Sequence, residues 1–230
     1  MLAVFVNAAT VILGSLLGIL LHNRLKEQHT KTIVACMGIC AMVIGMNEAI
    51  TTSNMLIVIV CLVAGTVIGE LLKLEQRLDG AGDWLKERVA KKNGGRFTEG
   101  FVTASLLFCV GSMSIMGSFD AGLRGDYDII FAKSAMDGIM SVTFAVTMGI
   151  GVAFSAVTVI VYQGALTLLA GVIEPVLSQQ MITEMSAVGG VMLIATGINV
   201  VSLTKERIRV GNMLPGLILP VIWFAIAGLF

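Results

Sequence analysis

One run of residues in the chain has the composition and spacing of an ion-binding or proton-binding site. Lys133, Asp137 and Ser141 recur every four residues in "AKSAMDGIMSV", so a helix places them in one polar stripe. An aspartate takes up a proton or binds a cation, and a neighbouring lysine balances its charge. Just upstream, "GSMSIMGSFDAG" interleaves serines with glycines and ends near an acid, and its candidate ligands are Ser112, Ser114 and Asp120. These side chains are expected to line a site for a small ion or solute.

The residues that must position this stripe are strongly apolar. Of the 230 residues, 57% are hydrophobic and only 13% are charged, well below the roughly 25% charged residues of a soluble domain. Apolar runs of about 18 residues or more are long enough to cross a bilayer. We expect an all-α polytopic membrane protein with about eight transmembrane helices, near 3–21, 33–50, 54–72, 100–118, 129–147, 150–172, 185–203 and 211–229. These spans leave no room for a separate soluble enzyme or nucleic-acid-binding domain.

The positive charges decide how the spans are arranged. All of the 15 lysines and arginines except Arg124 and Lys133 follow the first, third or seventh span. Eight spans place them on one side of the membrane, provided that the glycines of "MGIGVAF" (148–154) divide the fifth span from the sixth. Because basic loops stay in the cytoplasm, both termini are expected outside. The loop 73–98 is expected to form an amphipathic helix on the cytoplasmic lipid surface.

Two segments of the sequence resemble each other. "GICAMVIGMN" (38–47) and "GVMLIATGIN" (190–199) share Gly-x6-Gly-x-Asn, and Asn-Met-Leu follows each. Within one integral membrane domain (1–230), the match pairs spans 1–3 (3–72) with spans 6–8 (150–229) and leaves two central helices over 100–147. An offset of five spans predicts that the two units are inverted, which is typical of secondary transporters. Chance similarity between glycine-rich helices is the alternative.

Other polar residues lie where a binding site would use them. Asn47 and Asn199 end the repeated motif near opposite membrane faces, where an amide serves either helix C-capping or ligand coordination. Gln163 lies near the middle of the sixth span, where it would join helices or contact a substrate. Asn54 and Asn212 begin spans and are expected to be N-caps. The serines of the fourth span would either line a passage or allow close helix packing.

Longer motifs connect the chain to a known family. "GSMSIMGSFDAGLRGD", "AKSAMDGIMSVTFA", "GIGVAFSA", "YQG" and "GGVMLIATGIN" together resemble the YdfK/YqgA family of bacterial inner-membrane proteins, also called domain of unknown function 554. The resemblance covers essentially the whole chain. It implies a multi-pass protein of the bacterial cytoplasmic membrane, sometimes described as a transporter, and it implies no particular substrate.

The features favour a small secondary transporter, with a passive channel or a non-transporting membrane scaffold as alternatives. The sequence has no G-x4-GK[ST], H-E-x-x-H or Gly-x-Ser-x-Gly motif, so we expect neither an ATP-driven pump nor an enzyme. The cysteines lack a histidine or second pair that would complete a metal set, and no metal or other cofactor is expected. The expected partners are the lipid bilayer and a small ion or solute. Gly14 and Gly18 would pack helices within one chain or between two copies in a homo-oligomer.

Overall fold

A computed structural model describes residues 1–22, 27–89 and 96–227. Its α-helices are α1 Leu2–His22, α2 Glu27–Ala49, α3 Met55–Leu72, α4 Leu74–Val89, α5 Phe97–Cys109, α6 Ser112–Phe119, α7 Asp128–Met148, α8 Gly151–Leu168, α9 Ala170–Ile173, α10 Gln179–Val201 and α11 Leu219–Ala227. A π-helical segment, Asp120–Arg124, continues α6, and a 3₁₀ segment, Val210–Leu217, precedes α11. The described ranges contain no β-strand, and the all-α prediction is confirmed.

Parts of three predicted regions lie outside the described residues. Residues 23–26 hold Arg24 and Lys26 of the first basic loop, and residues 90–95 hold Lys91 and Lys92 of the predicted amphipathic loop. Residues 228 and 229 of the last predicted span also lie outside. The described part of the loop over 73–98 is helical, since α4 covers Leu74–Val89.

Six described helices are long and apolar enough to cross a membrane: α1, Lys31–Ala49 of α2, α3, α7, α8 and α10. They coincide with six of the predicted spans. The fourth predicted span, 100–118, is not one straight helix, because α5 and α6 meet at an angle of 59°. The eighth is interrupted as well, since Val210–Ile226 begins with the 3₁₀ segment and falls short of a full span. A total of eight spans therefore stays a prediction.

Glycines mark two of the breaks between helices. Gly149 has a φ of +73° and donates its N–H to the carbonyl oxygen of Ala145 at 3.0 Å, so it ends α7. The division between the fifth and sixth spans is therefore confirmed. Gly111 has a φ of +138°, which an L-residue rarely adopts, and it separates α5 from α6.

The two predicted N-caps have different outcomes. Asn54 caps α3 through its side-chain oxygen, which accepts from the backbone N–H of Leu56 at 3.0 Å, as predicted. The prediction for Asn212 is wrong, because Asn212 lies inside the 3₁₀ segment. Its Oδ1 accepts from the backbone N–H of Glu75 at 2.7 Å, and the Glu75 carboxylate in turn accepts from the N–H of Gly211 at 2.6 Å. The start of α4 is thus fastened to the 3₁₀ segment.

The chain folds into two compact units. The first consists of Met1–Met37, Asp79–Cys109 and Met113–Ile173, and the second of Gly38–Leu78, Val110–Ser112 and Glu174–Phe230. Helices α1 and α8 belong to the first unit, whereas α3 and α10 belong to the second. Each unit therefore contains helices from both predicted repeats.

Within the first unit, α1 and α7 lie side by side and run in the same direction. A Cβ built on Gly14 would clash with the backbone of Gly138, and one on Gly18 would clash with the backbone of Val142. At the far end, the His22 ring nitrogen Nδ1 lies 2.6 Å from the carbonyl oxygen of Val146. Gly14 and Gly18 therefore serve packing within one chain, and self-association stays a prediction.

Within the second unit, α2 and α10 cross in opposite directions at the repeated glycines. A Cβ on Gly45 would clash with the carbonyl oxygen of Gly190, and one on Gly190 would clash with that of Gly45. Gly38 and Gly197 make the same reciprocal contact, two turns away. The shared Gly-x6-Gly motif is thus the surface through which the two helices approach each other.

Candidate functional site

The polar stripe on α7 forms a buried ion pair. The Lys133 ammonium donates to both carboxylate oxygens of Asp137, at 2.8 and 2.7 Å, and the two side chains are only 8% and 5% exposed. The spacing of four residues brings the groups together on one face of the helix, as predicted. Because both charges are withdrawn from water, each is stabilised by its oppositely charged partner.

A third residue, Asn7 of α1, connects this pair to α8. Its side-chain Nδ2 donates to Asp137 Oδ2 and to Gln163 Oε1, both at 3.1 Å. Asn7 and Gln163 are completely buried. Asn7 was not predicted as a site residue, although an amide inside the apolar run "MLAVFVNAAT" was a signal for it, since a buried amide must find partners.

The network continues from Gln163 to α6. Gln163 Nε2 donates to Ser114 Oγ over 3.4 Å, and Ser114 Oγ donates to the carbonyl oxygen of Phe108 at 3.0 Å. Four predicted site residues therefore join Asn7 in one buried network of the first unit. This network, called the Asp137 cluster below, consists of Asn7, Ser114, Lys133, Asp137 and Gln163.

Ser141 adjoins the Asp137 cluster, but its hydroxyl points along the helix. Ser141 is fully buried, and its Oγ donates to the backbone carbonyl of Asp137 at 2.7 Å. Ser134 makes the same kind of bond to Ile130, also at 2.7 Å. A serine hydroxyl in an apolar helix donates its hydrogen bond to the backbone carbonyl oxygen one turn earlier. Ser141 therefore bonds to the backbone of Asp137 and does not donate to its carboxylate.

Two further candidates form contacts of their own. Asp120, in the π-helical segment, forms an ion pair with Arg124, whose side chain is largely exposed. Ser112, in the second unit, donates from Oγ to the Glu48 carboxylate, with distances of 3.3 and 3.2 Å to its two oxygens. Neither contact was predicted, since each depends on which helix ends meet.

The two asparagines of the repeated motif differ in their surroundings. Asn199 holds the backbone of Ile208 on both sides, because its Nδ2 donates to the carbonyl oxygen and its Oδ1 accepts from the N–H, each at 2.8 Å. Asn47 is exposed on α2. Asn199 thus fixes the connection that follows α10. Ligand binding by any of the candidates named from the sequence stays a prediction.

The second unit holds a buried acid that the sequence analysis missed. Glu184 is completely buried, and its carboxylate accepts from Thr52 Oγ1 at 2.5 Å and from the backbone N–H of Ser53 at 2.8 Å. It thereby fixes the connection between α2 and α3. The predicted span began at 185 and left Glu184 in a loop, whereas α10 begins at Gln179.

The Asp137 cluster has the chemistry of a proton site more than that of a metal site. Its single carboxylate takes up or releases a proton, while the lysine and the amide stabilise the ionised form by donating hydrogen bonds. In the part of the chain that the structure describes, no three histidine, cysteine, aspartate or glutamate side chains come together in a way that would hold a metal ion.

Membrane-length helices around a buried polar network define a polytopic all-α membrane protein. The chain belongs to the family described as "Protein of unknown function (DUF554)", which matches residues 2–225. It is 32% identical over 219 residues to the uncharacterized membrane protein YdfK of Bacillus subtilis (strain 168), covering 93% of this chain and 91% of that protein. It is 31% identical over 219 residues to the uncharacterized protein YqgA of Escherichia coli (strain K12), covering 94% and 92%. The family resemblance is confirmed, and no solved structure matches the chain.

Proposed function

We propose that the chain is a secondary transporter of the bacterial cytoplasmic membrane, which moves a small ion or solute by alternating access. The observation that carries the proposal is the buried Lys133–Asp137 pair, held by Asn7 among apolar helices. Ionisable side chains inside a membrane are costly and mark ion or proton pathways by default. If the cluster only joined helices, apolar side chains of similar volume would do so at no greater cost.

Each residue of the Asp137 cluster has a distinct role in this proposal. Asp137 takes up the coupling ion, and Lys133 balances the charge of the unloaded carboxylate. Asn7 and Gln163 hold the carboxylate between α1, α7 and α8, so that its position depends on how these helices pack. Ser114 extends the polar surface to α6.

An inverted repeat is part of the proposal, and the crossing of α2 with α10 supports it. The repeat pairs Gly38 with Gly190 and Gly45 with Gly197. A two-fold axis would therefore turn the Gly45–Gly190 contact into the Gly197–Gly38 contact, and both contacts are present. An experimental structure in lipid should superpose α1–α3 on α8, α10 and α11 about an axis in the membrane plane. A superposition that works only without inversion would remove this support.

The proposed orientation places both termini outside and α4 in the cytoplasm. Labelling of Lys86→Cys with a membrane-impermeant thiol reagent in intact cells tests it, with the four native cysteines replaced. No labelling is expected until the membrane is opened. Rapid labelling from outside would reverse the orientation.

Transport itself is tested with purified protein in liposomes. Trapped dyes report the entry of protons or of sodium under an imposed membrane potential, and protein-free liposomes are the control. We expect saturable entry of one of the two ions at no more than about a thousand per second, since each cycle of alternating access requires collective conformational changes that take about a millisecond. Faster, non-saturable flux would indicate a passive channel. Flux of neither ion above the control would favour the scaffold and contradict the proposal.

A further inference from the structure

Several buried polar atoms of the first unit lack hydrogen-bond partners among the described residues. They include Asn7 Oδ1, Ser15 Oγ, Ser118 Oγ and Thr167 Oγ1. Asn7 and Ser118 are fully buried, and Thr167 is 6% exposed. A buried oxygen without a partner loses the hydrogen bonds that water gave it, so native structures rarely keep one unless something binds there.

Two of these atoms lie on one seam between α6 and α8. The helices run in the same direction here, because Ser114 meets Gln163, and further along a Cβ on Gly122 would clash with the carbonyl oxygen of Thr167. Ser118 is one turn after Ser114, and Thr167 is one turn after Gln163. Ser118 thus lies midway between Ser114 and Gly122, the two points of α6 and its π-helical continuation that meet α8, and Thr167 lies at the second of these contacts. We call Ser114, Ser118, Gln163 and Thr167 the hydroxyl seam.

The hydroxyl seam has one buried end and one exposed end. At the buried end, Gln163 accepts from Asn7, which donates to Asp137. At the other end, α6 passes into the π-helical segment, where Leu123 is 42% exposed and the Arg124 side chain is 59% exposed. The residues of the seam thus lie between an exposed end of the first unit and the Asp137 cluster.

The groups on this path suit water and protons. A hydroxyl both donates and accepts, and an amide oxygen accepts, which is what a file of water molecules needs. A metal cation would meet the Lys133 ammonium, which already contacts both oxygens of Asp137. A proton needs no such displacement, because a hydrogen-bonded chain delivers it to the carboxylate itself.

We propose that water binds along the hydroxyl seam and carries protons between the π-helical end and Asp137. A hydronium at the end of the file gives its proton to a carboxylate oxygen of Asp137, which leaves a water molecule and a neutral carboxylic acid. Lys133 keeps its proton throughout. Proton delivery rests on the proposed transport function, whereas the binding of water along the seam does not.

Hydrogen–deuterium exchange at introduced thiols tests the binding of water directly. In reconstituted full-length protein with the four native cysteines replaced, Ser118→Cys and Thr167→Cys are transferred to heavy water, and infrared spectra follow the S–H to S–D change. The control is Ser155→Cys, on α8, because Ser155 is fully buried and its Oγ already donates to Val152 at 2.6 Å. We expect exchange at both seam positions to be about tenfold faster than at the control or more. Exchange at the control rate would overturn the proposal.

The variant Thr167→Val gives a second, independent readout. Valine keeps the shape of threonine and removes a hydroxyl that has no hydrogen-bond partner among the described residues. In a wet seam the change breaks hydrogen bonds to water, so the melting temperature should fall and exchange at Ser118→Cys should slow. In a dry seam it removes an unsatisfied group and raises the melting temperature, which would contradict the proposal. Fast thiol exchange in a protein that transports no ion would contradict the transport function but support the binding of water along the hydroxyl seam.

Discussion

Lys133 determines what a substitution at Asp137 does. Asp137→Asn is nearly isosteric, yet it leaves a lysine whose side chain is only 8% exposed without its counter-ion. Removing one partner of a buried pair costs about 3–5 kcal/mol, whereas removing both charges together is often neutral. A loss of transport in the single variant would therefore mix a folding defect with a functional one. The charge-balanced double variant Lys133→Met/Asp137→Asn separates the two effects.

Asn7 is the residue on which the assembly of the cluster depends most. Asn7→Leu removes the donor to Asp137 and the donor to Gln163, which leaves two buried acceptors with fewer partners. We expect the free energy of unfolding to fall by about 2–4 kcal/mol, since each buried group left unsatisfied costs about 1–3 kcal/mol. Thermal unfolding in detergent measures the loss.

Thr10→Val is the matched control for Asn7→Leu. Thr10 lies on the same helix, and its hydroxyl donates to the nearby carbonyl oxygen of Asn7, at 2.8 Å. Its replacement should change stability by less than about 1 kcal/mol. Equal stability of Asn7→Leu and the wild type would show that the cluster does not hold α1, α7 and α8 together.

At this scale, the sequence predicted contacts within one helix and missed most of those between helices. The Lys133–Asp137 pair follows from a spacing of four residues, because helical geometry alone brings the side chains together. The partners Asn7 and Gln163 are 156 positions apart in the chain, and no local rule connects them. Glu184 was missed for the same reason, since its partners Thr52 and Ser53 come from a distant connection.

At the scale of elements, the crossing of α2 and α10 depends on the absence of side chains. Gly190→Ala would drive a Cβ into the carbonyl oxygen of Gly45, which is backbone and cannot turn aside. We expect a loss of about 1–3 kcal/mol, as in other overpacked cores. The change should appear as a lower melting temperature.

Gly80→Ala provides the opposite expectation for the same chemical change. Gly80 lies within α4, and a Cβ built on it would have nothing within 4 Å. Alanine should therefore stabilise the helix by about 0.5–1 kcal/mol. If both alanine substitutions changed the melting temperature in the same direction and by the same amount, that result would contradict the close approach of α2 and α10.

Some helix boundaries were predictable from the sequence and others were not. The break at Gly149 was predictable, because two spans had to fit between 132 and 173 and glycines offered the turn. The break at Gly111 was not, since the apolar run over 100–118 continues through it. The predicted N-cap at Asn212 was wrong for a similar reason. The 3₁₀ segment starts at Val210, and the Asn212 amide bonds to the backbone of Glu75.

At the scale of the whole molecule, compact units and repeated sequence divide the chain differently. The first unit holds the Asp137 cluster, the hydroxyl seam and the close pairing of α1 with α7. The second holds the reciprocal glycine contacts and the buried Glu184. The lengths of the apolar runs predict the spans but not how the spans group, since grouping is decided by contacts between distant helices. The transport proposal therefore rests on the cluster, and the repeat adds support to it.

Ion flux through the charge-balanced double variant Lys133→Met/Asp137→Asn in liposomes tests whether Asp137 is the transport site. Its matched control is Arg96→Met/Glu99→Gln, which removes a partly exposed ion pair of the same unit outside the cluster. Both variants should keep the melting temperature of the wild type to within about 8 °C, which corresponds to roughly 2–4 kcal/mol for a chain of this size. We predict that flux falls to the level of protein-free liposomes in the first variant and stays at the wild-type rate in the control. Wild-type flux through the folded Lys133→Met/Asp137→Asn variant would contradict the assignment of Asp137 as the transport site.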